Sequence, residues 1–188
     1  MARPADRSAT YEDIADLPEG ENLEIVDGEI VSAPRSKPAH GRAQVGLSRL
    51  VGGPFDIDES PGGWWIVVEP EVELERHEVY IPDLAGWRRE RVPRLPDERP
   101  VRATPDWVCE VVSPSTERQD RVTKAATYLR SDVPFYWLVD TDARVLEALA
   151  ARDEAWFRLG AWSDGDMARV PPFDAVEIDV GRLFPPLD

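Results

Sequence analysis

The sequence predicts an α/β fold around a mixed β-sheet, and three observations lead to it. Stretches with helical apolar spacing alternate with short apolar runs of strand length. Hairpin signals occur toward both ends of the chain. One run, at 107–112 (WVCEVV), is apolar on both faces apart from a single glutamate, as a central strand covered on both sides would be. At 188 residues, 21.1 kDa and 42% hydrophobic content, the chain reads as one domain with a sizeable core.

The elements follow in order. Residues 11–17 (YEDIADL) predict a short helix, stopped by Pro18-Glu19-Gly20. Leu23–Val26 and Glu29–Ser32 flank Asp27-Gly28, a strong two-residue hairpin signal. A helix is expected at 39–51, with Val45, Leu47, Leu50 and Val51 as its apolar side and Gly52-Gly53-Pro54 as its end. A strand at 64–74, bent at Pro70, precedes a second at 78–87. An arginine- and proline-rich loop then leads into the strand at 107–112. Thr116 and Gln119 are spaced as a capping box, opening a helix to about Arg130. Residues 135–140 and 144–150 read as consecutive strands, with another short one near 156–160.

Charge and composition narrow the function. A net charge of −15 argues against a generic nucleic-acid binder, because neutralising phosphates needs a basic surface. Locally, the stretch 88–102 holds six arginines against Glu90, Asp97 and Glu98, a net +3, read as a solvated loop or a phosphate-contacting one. Lysine occurs only at positions 37 and 124. A single cysteine excludes an internal disulfide framework and suits a reducing compartment. No apolar run approaches the roughly 18 residues of a membrane span, and Met1-Ala2-Arg3-Pro4 does not begin a signal segment. A soluble, cytoplasmic protein without membrane partners is expected.

Glu110 is the residue that demands an explanation. Strand alternation puts Val108, Glu110 and Val112 on one face and Trp107, Cys109 and Val111 on the other. A buried carboxylate costs several kcal/mol unless a metal, a cation or hydrogen bonds compensate it. Asp83 follows a strand and a proline that cannot donate a ladder bond, so it is either a turn aspartate or a carboxylate at a strand bend. Lys124 lies on the helix that follows Glu110. At about 100° per residue, Val122, Ala125, Ala126 and Leu129 form the core stripe, and Lys124 pairs with Asp120 on the opposite surface. Two strand carboxylates and a lysine are also the groups that metal-dependent phosphodiester cleavage uses. His40, at a helix start, and Glu24, on a strand, are secondary candidates, while His77 is expected in solvent. Cys109 reads as core packing, and one cysteine with two distant histidines makes no zinc site.

With these residues in view, the chain resembles the Uma2 family of putative restriction endonucleases over nearly its whole length. The resemblance rests on LEIVDGEIVSAP at 23–34, His40, PDLAGW at 82–87, PDWVCEVVSPST at 105–116, DRVTKAATYLRSDVPFYWLVD at 120–140 and VEIDVGRLF at 176–184. It implies the PD-(D/E)XK nuclease fold: a restriction-endonuclease-like mixed sheet flanked by helices, with additional N-terminal and C-terminal strands. It places the paired acids at Asp83 and Glu110. Glu110-Val111-Val112 departs from the superfamily pattern, with valine where lysine is expected, and the resemblance moves that lysine to Lys124.

The favoured reading is a Mg²⁺- or Mn²⁺-dependent endonuclease acting on nucleic acid, chiefly DNA. Asp83, Glu110 and the Val111 carbonyl would ligate the metal, and Lys124 would orient water or stabilise the oxyanion. Glu24 would add a ligand or position water, His40 would contact the scissile phosphate, and Tyr128 would help hold Lys124. Seven tryptophans and the strands FYWLVD and VLEALA suggest a homodimer. Two rivals remain: a catalytically silent oligomeric binding or regulatory domain, and a phosphoesterase for small nucleotides, which would suit the acidic charge.

Overall fold

The computed structural model describes residues 8–15, 17, 22–32 and 37–186. The N-terminal helix expected at 11–17 is a single 3₁₀ turn, Tyr11–Asp13, held by the Thr10 N–H donating to Asp13 Oδ2 at 2.9 Å. Its expected stop, Pro18-Glu19-Gly20, lies outside the described residues. The Asp27-Gly28 hairpin forms as read: β1 (Leu23–Val26) and β2 (Glu29–Ser32) pair antiparallel, with both turn residues at positive φ.

Helix α1 (Pro38–Leu47) does not end at Gly52-Gly53-Pro54. It continues as a π-helical stretch, Ser48–Ile57, that runs through all three residues. The wider i to i+5 winding accommodates a proline that would clash with the carbonyl at i−4 in α geometry. Burial of Leu47, Val51 and Phe55 holds the stretch on the core, while Val45, assigned to the apolar side, is 64% exposed.

The two long strands expected at 64–74 and 78–87 are each divided between two sheets. β3 (Trp64–Val68) and β6 (Leu84–Arg88) pair in one sheet; β4 (Val72–Glu75) and β5 (Glu78–Tyr80) pair in another. Pro70 and Pro82 fall at the two crossings, where neither can donate a ladder bond. Downstream lie β7 (Trp107–Val112), α2 (Ala125–Arg130), β8 (Phe135–Asp140), β9 (Val145–Arg152), β10 (Ala155–Ser163), β11 (Met167–Ala168) and β12 (Ile178–Asp179). The main sheet runs β10-β9-β8-β7-β6-β3, and its one parallel pair, β7–β8, is the pair joined through α2. The second sheet runs β2-β1-β5-β4.

β7 is buried at every position, as its two apolar faces require. Trp107, Cys109 and Val111 face a core shared with Leu47, Val51, Phe55 and Phe173; Val108 and Val112 face one shared with Tyr80, Ala125 and Tyr128. The Phe173 ring lies 4.8–5.5 Å from those of Phe55, Trp64, Trp107 and Trp137, within the favourable range for tilted and edge-on contacts. Burial pushes the Cys109 thiol up, consistent with a packing role. Among the described residues no helix is long and apolar enough to cross a membrane.

Candidate active site

The crossings at Pro70 and Pro82 lie side by side, the Glu69 N–H donating to the Asp83 carbonyl at 3.1 Å, and they open the cleft. Backbone groups that lose their ladder partners there are taken up by carboxylates. Pairing of β6 with β7 is registered at Leu84 and Cys109, and beyond it the Val111 N–H donates to Asp83 Oδ2 at 2.7 Å. The Ile81 N–H, past the end of β5, donates to Glu24 Oε1 at 2.9 Å. Asp83 and Glu24 are thus fixed by the sheet they interrupt.

Lys124 is not on the surface: it is 5% exposed, and Val122, assigned to the core stripe, is 60% exposed. The segment Gln119–Lys124 that enters α2 is π-helical, so a wheel of 3.6 residues per turn assigns its faces wrongly. Lys124 Nζ lies 2.8 Å from Glu24 Oε1, 3.1 Å from Glu110 Oε1 and 3.9 Å from Asp120 Oδ1. The Asp120–Lys124 pair expected on the surface is therefore a buried one. Tyr128 donates to Glu110 Oε1 at 2.6 Å, so it holds the glutamate and not the lysine. Gln119 makes no capping box; its side chain turns inward and donates to Glu24 Oε2 at 3.2 Å.

His40 reaches the same cleft from the first turn of α1, with Nε2 2.5 Å from Asp83 Oδ1. Gln44, one turn later on the same face, donates to both Asp83 Oδ1 and Glu69 Oε1, each at 2.9 Å. Gln44 was not among the candidates, although its i,i+4 spacing from His40 is visible in the sequence. Asp83, Glu110, Val111, Lys124, Glu24 and His40 all line one cleft, with about 70 Å³ of room for water-sized groups. His77 lies outside it and is half-buried rather than in solvent, with Nδ1 2.7 Å from the Ala9 carbonyl.

Five carboxylates (Glu24, Glu69, Asp83, Glu110, Asp120) face Lys124 and His40 in this cleft, four of them buried and Glu69 exposed. Burial raises the Glu110 pKa well above the usual carboxylate range; Lys124 opposes the shift, while Asp120, Asp83 and Glu24 add to it. Burial likewise raises Asp120 to about 6 against the opposing pull of Lys124. Burial would discharge Lys124, but Glu110, Glu24 and Asp120 outweigh it and raise its pKa, so it remains an ammonium. Burial lowers and Asp83 more than restores the His40 pKa, which ends above its ordinary value. The cleft carries a surplus of buried negative charge around one firmly held cation.

Residues 9–181 match the Uma2 family, described as "Putative restriction endonuclease". The chain belongs to the Uma2 family. Among curated proteins nothing matches. Among solved structures the chain is similar to a protein described as a putative nuclease belonging to DUF820 from Anabaena variabilis ATCC 29413. The two share 20% identity and a TM-score of 0.68 over 93% of this chain and 97% of that one. That similarity establishes the shared fold, a mixed sheet flanked by helices. Membership of the Uma2 family supports a nuclease function.

Proposed function

We propose that this Uma2 protein is a divalent-metal-dependent endonuclease that hydrolyses phosphodiester bonds in DNA, the whole chain acting as one catalytic domain. The observation carrying this reading is the surplus of buried carboxylates focused on Glu110, which a divalent cation would neutralise. The donor set fits Mg²⁺ or Mn²⁺. A carboxylate offers about four acceptor positions. Among the described residues, both hydrogen bonds received by Glu110 fall on Oε1, and Asp83 Oδ2 accepts only the Val111 N–H, so Glu110 Oε2 and Asp83 Oδ2 retain capacity. In a strand the N–H and C=O of one residue point to the same edge, so the Val111 carbonyl is directed toward Asp83 as its N–H is. Among the described residues no three His, Cys, Asp or Glu side chains converge as a ready-made cage, and Mg²⁺ commonly uses one or two carboxylates and retains waters.

Asp83, Glu110 and the Val111 carbonyl would hold the metal, which when bound supplies water activation and neutralises phosphate charge. Lys124, a fixed ammonium, would stabilise the oxyanion or orient the attacking water. Glu24 and Tyr128 would position Lys124 and Glu110, and His40 and Gln44 would clamp Asp83, so His40 serves the carboxylate in place of the phosphate contact first assigned to it. Incubating the protein with duplex DNA, RNA and small nucleotides in Mg²⁺, and again in chelator, tests the reading. Metal-dependent internal cleavage of DNA is expected; hydrolysis of nucleotides alone would make it a small-molecule phosphoesterase.

The homodimer belongs to this proposal on a different footing from the tryptophans. Trp64, Trp87, Trp107 and Trp137 are buried within the chain. β10, however, is a nine-residue edge strand with Arg158 as its one charge and Phe157 53% exposed, the kind of edge that pairs with another strand. Antiparallel pairing with β10 of a second copy would extend the main sheet across a two-fold axis. Light scattering should give twice 21.1 kDa at micromolar concentration, reverting to 21.1 kDa in Phe157→Lys. A wild-type mass of 21.1 kDa would contradict it.

A further inference from the structure

We infer that Tyr80 is a positioning residue for Lys124, its ring face keeping the ammonium between Glu24 and Glu110, which deepens the nuclease reading and rests on it. Lys124 Nζ lies over the Tyr80 ring, 5.6 Å from its centroid, within the roughly 6 Å over which a ring face attracts a cation. An ammonium has three protons to place. Glu24 Oε1 at 2.8 Å and Glu110 Oε1 at 3.1 Å take two, and Asp120 Oδ1 at 3.9 Å stands beyond hydrogen-bonding distance. The Tyr80 ring is the other electron-rich surface that Lys124 meets among the described residues.

The ring is itself held at its tip and its edge. The Tyr80 hydroxyl donates to Glu78 Oε2 at 2.9 Å and lies 3.1 Å from Thr127 Oγ1. Glu78 is fixed in turn by the Asp27 N–H at 3.1 Å and by Arg130 at 3.2 Å. With its hydroxyl committed there, what Tyr80 presents to Lys124 is the ring face. Burial raises the Tyr80 pKa against the opposing pull of Thr127, so the ring is that of a neutral phenol. The Tyr128 ring meets that of Tyr80 edge-on, with centroids 5.6 Å apart and planes at 86°. Tyr128 also donates to Glu110 Oε1 at 2.6 Å. Two touching rings therefore hold the two partners of the buried ion pair, Tyr80 the cation and Tyr128 the anion.

The cleft gives such a hold a purpose. Asp120 shares the helical segment of Lys124 and competes for its ammonium. A lysine that swung to Asp120 would leave Glu110 and the place where phosphate charge develops. A ring face attracts the cation without adding negative charge to a cleft that already has a surplus. Tyr80 is fully buried and does not line the cleft, so it acts through Lys124 and touches no substrate.

Phenylalanine at position 80 carrying none, one, two or three ring fluorines tests the inference, since fluorine drains the ring face and nearly preserves its shape. In Mn²⁺-dependent cleavage of duplex DNA, kcat should fall stepwise by about tenfold across the series, with KM within about twofold of wild type. Tyr80→Phe itself keeps the ring and should retain at least about a third of wild-type kcat. Lys37 and Lys124 are the only lysines, so lysine-labelled protein without metal gives NMR signals from just those side chains. The Lys124 signal should move step by step along the series while that of Lys37 stays in place. A flat kcat series in an active enzyme, or a Lys124 signal indifferent to fluorine, would overturn the role of Tyr80 alone. A wild type inactive on DNA in Mn²⁺ would overturn the nuclease reading and the positioning role with it.

Discussion

Glu110→Gln is expected to abolish metal-dependent cleavage, by about 10³-fold or more, while the apo protein melts at the wild-type temperature or above it. The loss follows from removing a charge on which several kcal/mol of metal-mediated transition-state stabilisation would depend. The retained stability follows from the cleft itself. Glutamine keeps an oxygen to accept from Tyr128 and Lys124, and it relieves a desolvated charge whose pKa burial and three neighbouring carboxylates raise. Lys124 is not orphaned, because Glu24 stays 2.8 Å away. Melting curves with and without Mg²⁺ check this. A large drop in the apo melting temperature would mean that Glu110 is one half of a structural ion pair.

Lys124→Gln is expected to act in the opposite sense on stability. It removes the one ammonium among Glu24, Glu110 and Asp120, and breaking a buried ion pair from one side typically costs about 3–5 kcal/mol. Cleavage should be lost with it. Acid should rescue the variant, and the sign is determined by Asp120. Its folded pKa, about 6, lies above the ordinary 3.8, so between those values the folded state holds more protons than the unfolded one. The stabilisation from that group is fully present below about pH 4 and is lost as pH rises through about 6, on the order of 3 kcal/mol in wild type. Denaturant unfolding from pH 4 to 8 should show stability falling across this window, more steeply in Lys124→Gln. A variant as stable as wild type at pH 7 would mean that the lysine does not balance the cluster.

Much of this was legible in the sequence where local rules are decisive. The two-faced apolar run identified β7 and singled out Glu110; Asp27-Gly28 identified the hairpin; and Pro82-Asp83 left a turn and a strand bend open, of which the chain adopts the bend. The parts that were not legible depend on contacts between distant segments. Strand alternation runs smoothly through 64–74 and 78–87, and only pairing partners reveal that the chain changes sheet at Pro70 and Pro82. The helical wheel alone put Lys124 on the surface, against the favoured reading that put it beside the carboxylates, because a wheel presumes α winding and the π turn at 119–124 has no sequence signature to warn of it. Gln44 went unrecognised because an ordinary polar residue on a helix attracts no notice until its neighbours are known, and Asp120 was read as the partner of Lys124 but on the surface. The arginines at 88–102 looked free because the carboxylates that bind them, Asp56, Glu71, Glu73 and Asp106, include three far away in sequence or in another strand.

The most direct measurement is calorimetric titration of Mn²⁺ into the wild-type protein, Asp83→Asn and Glu110→Gln at pH 7.5, where Asp120 is ionised. Saturable binding in wild type, reduced at least about tenfold by either substitution in a still folded protein, is the predicted result. No binding in wild type, or binding that both variants retain in full, would contradict a metal-dependent nuclease and leave a catalytically silent domain on the same fold.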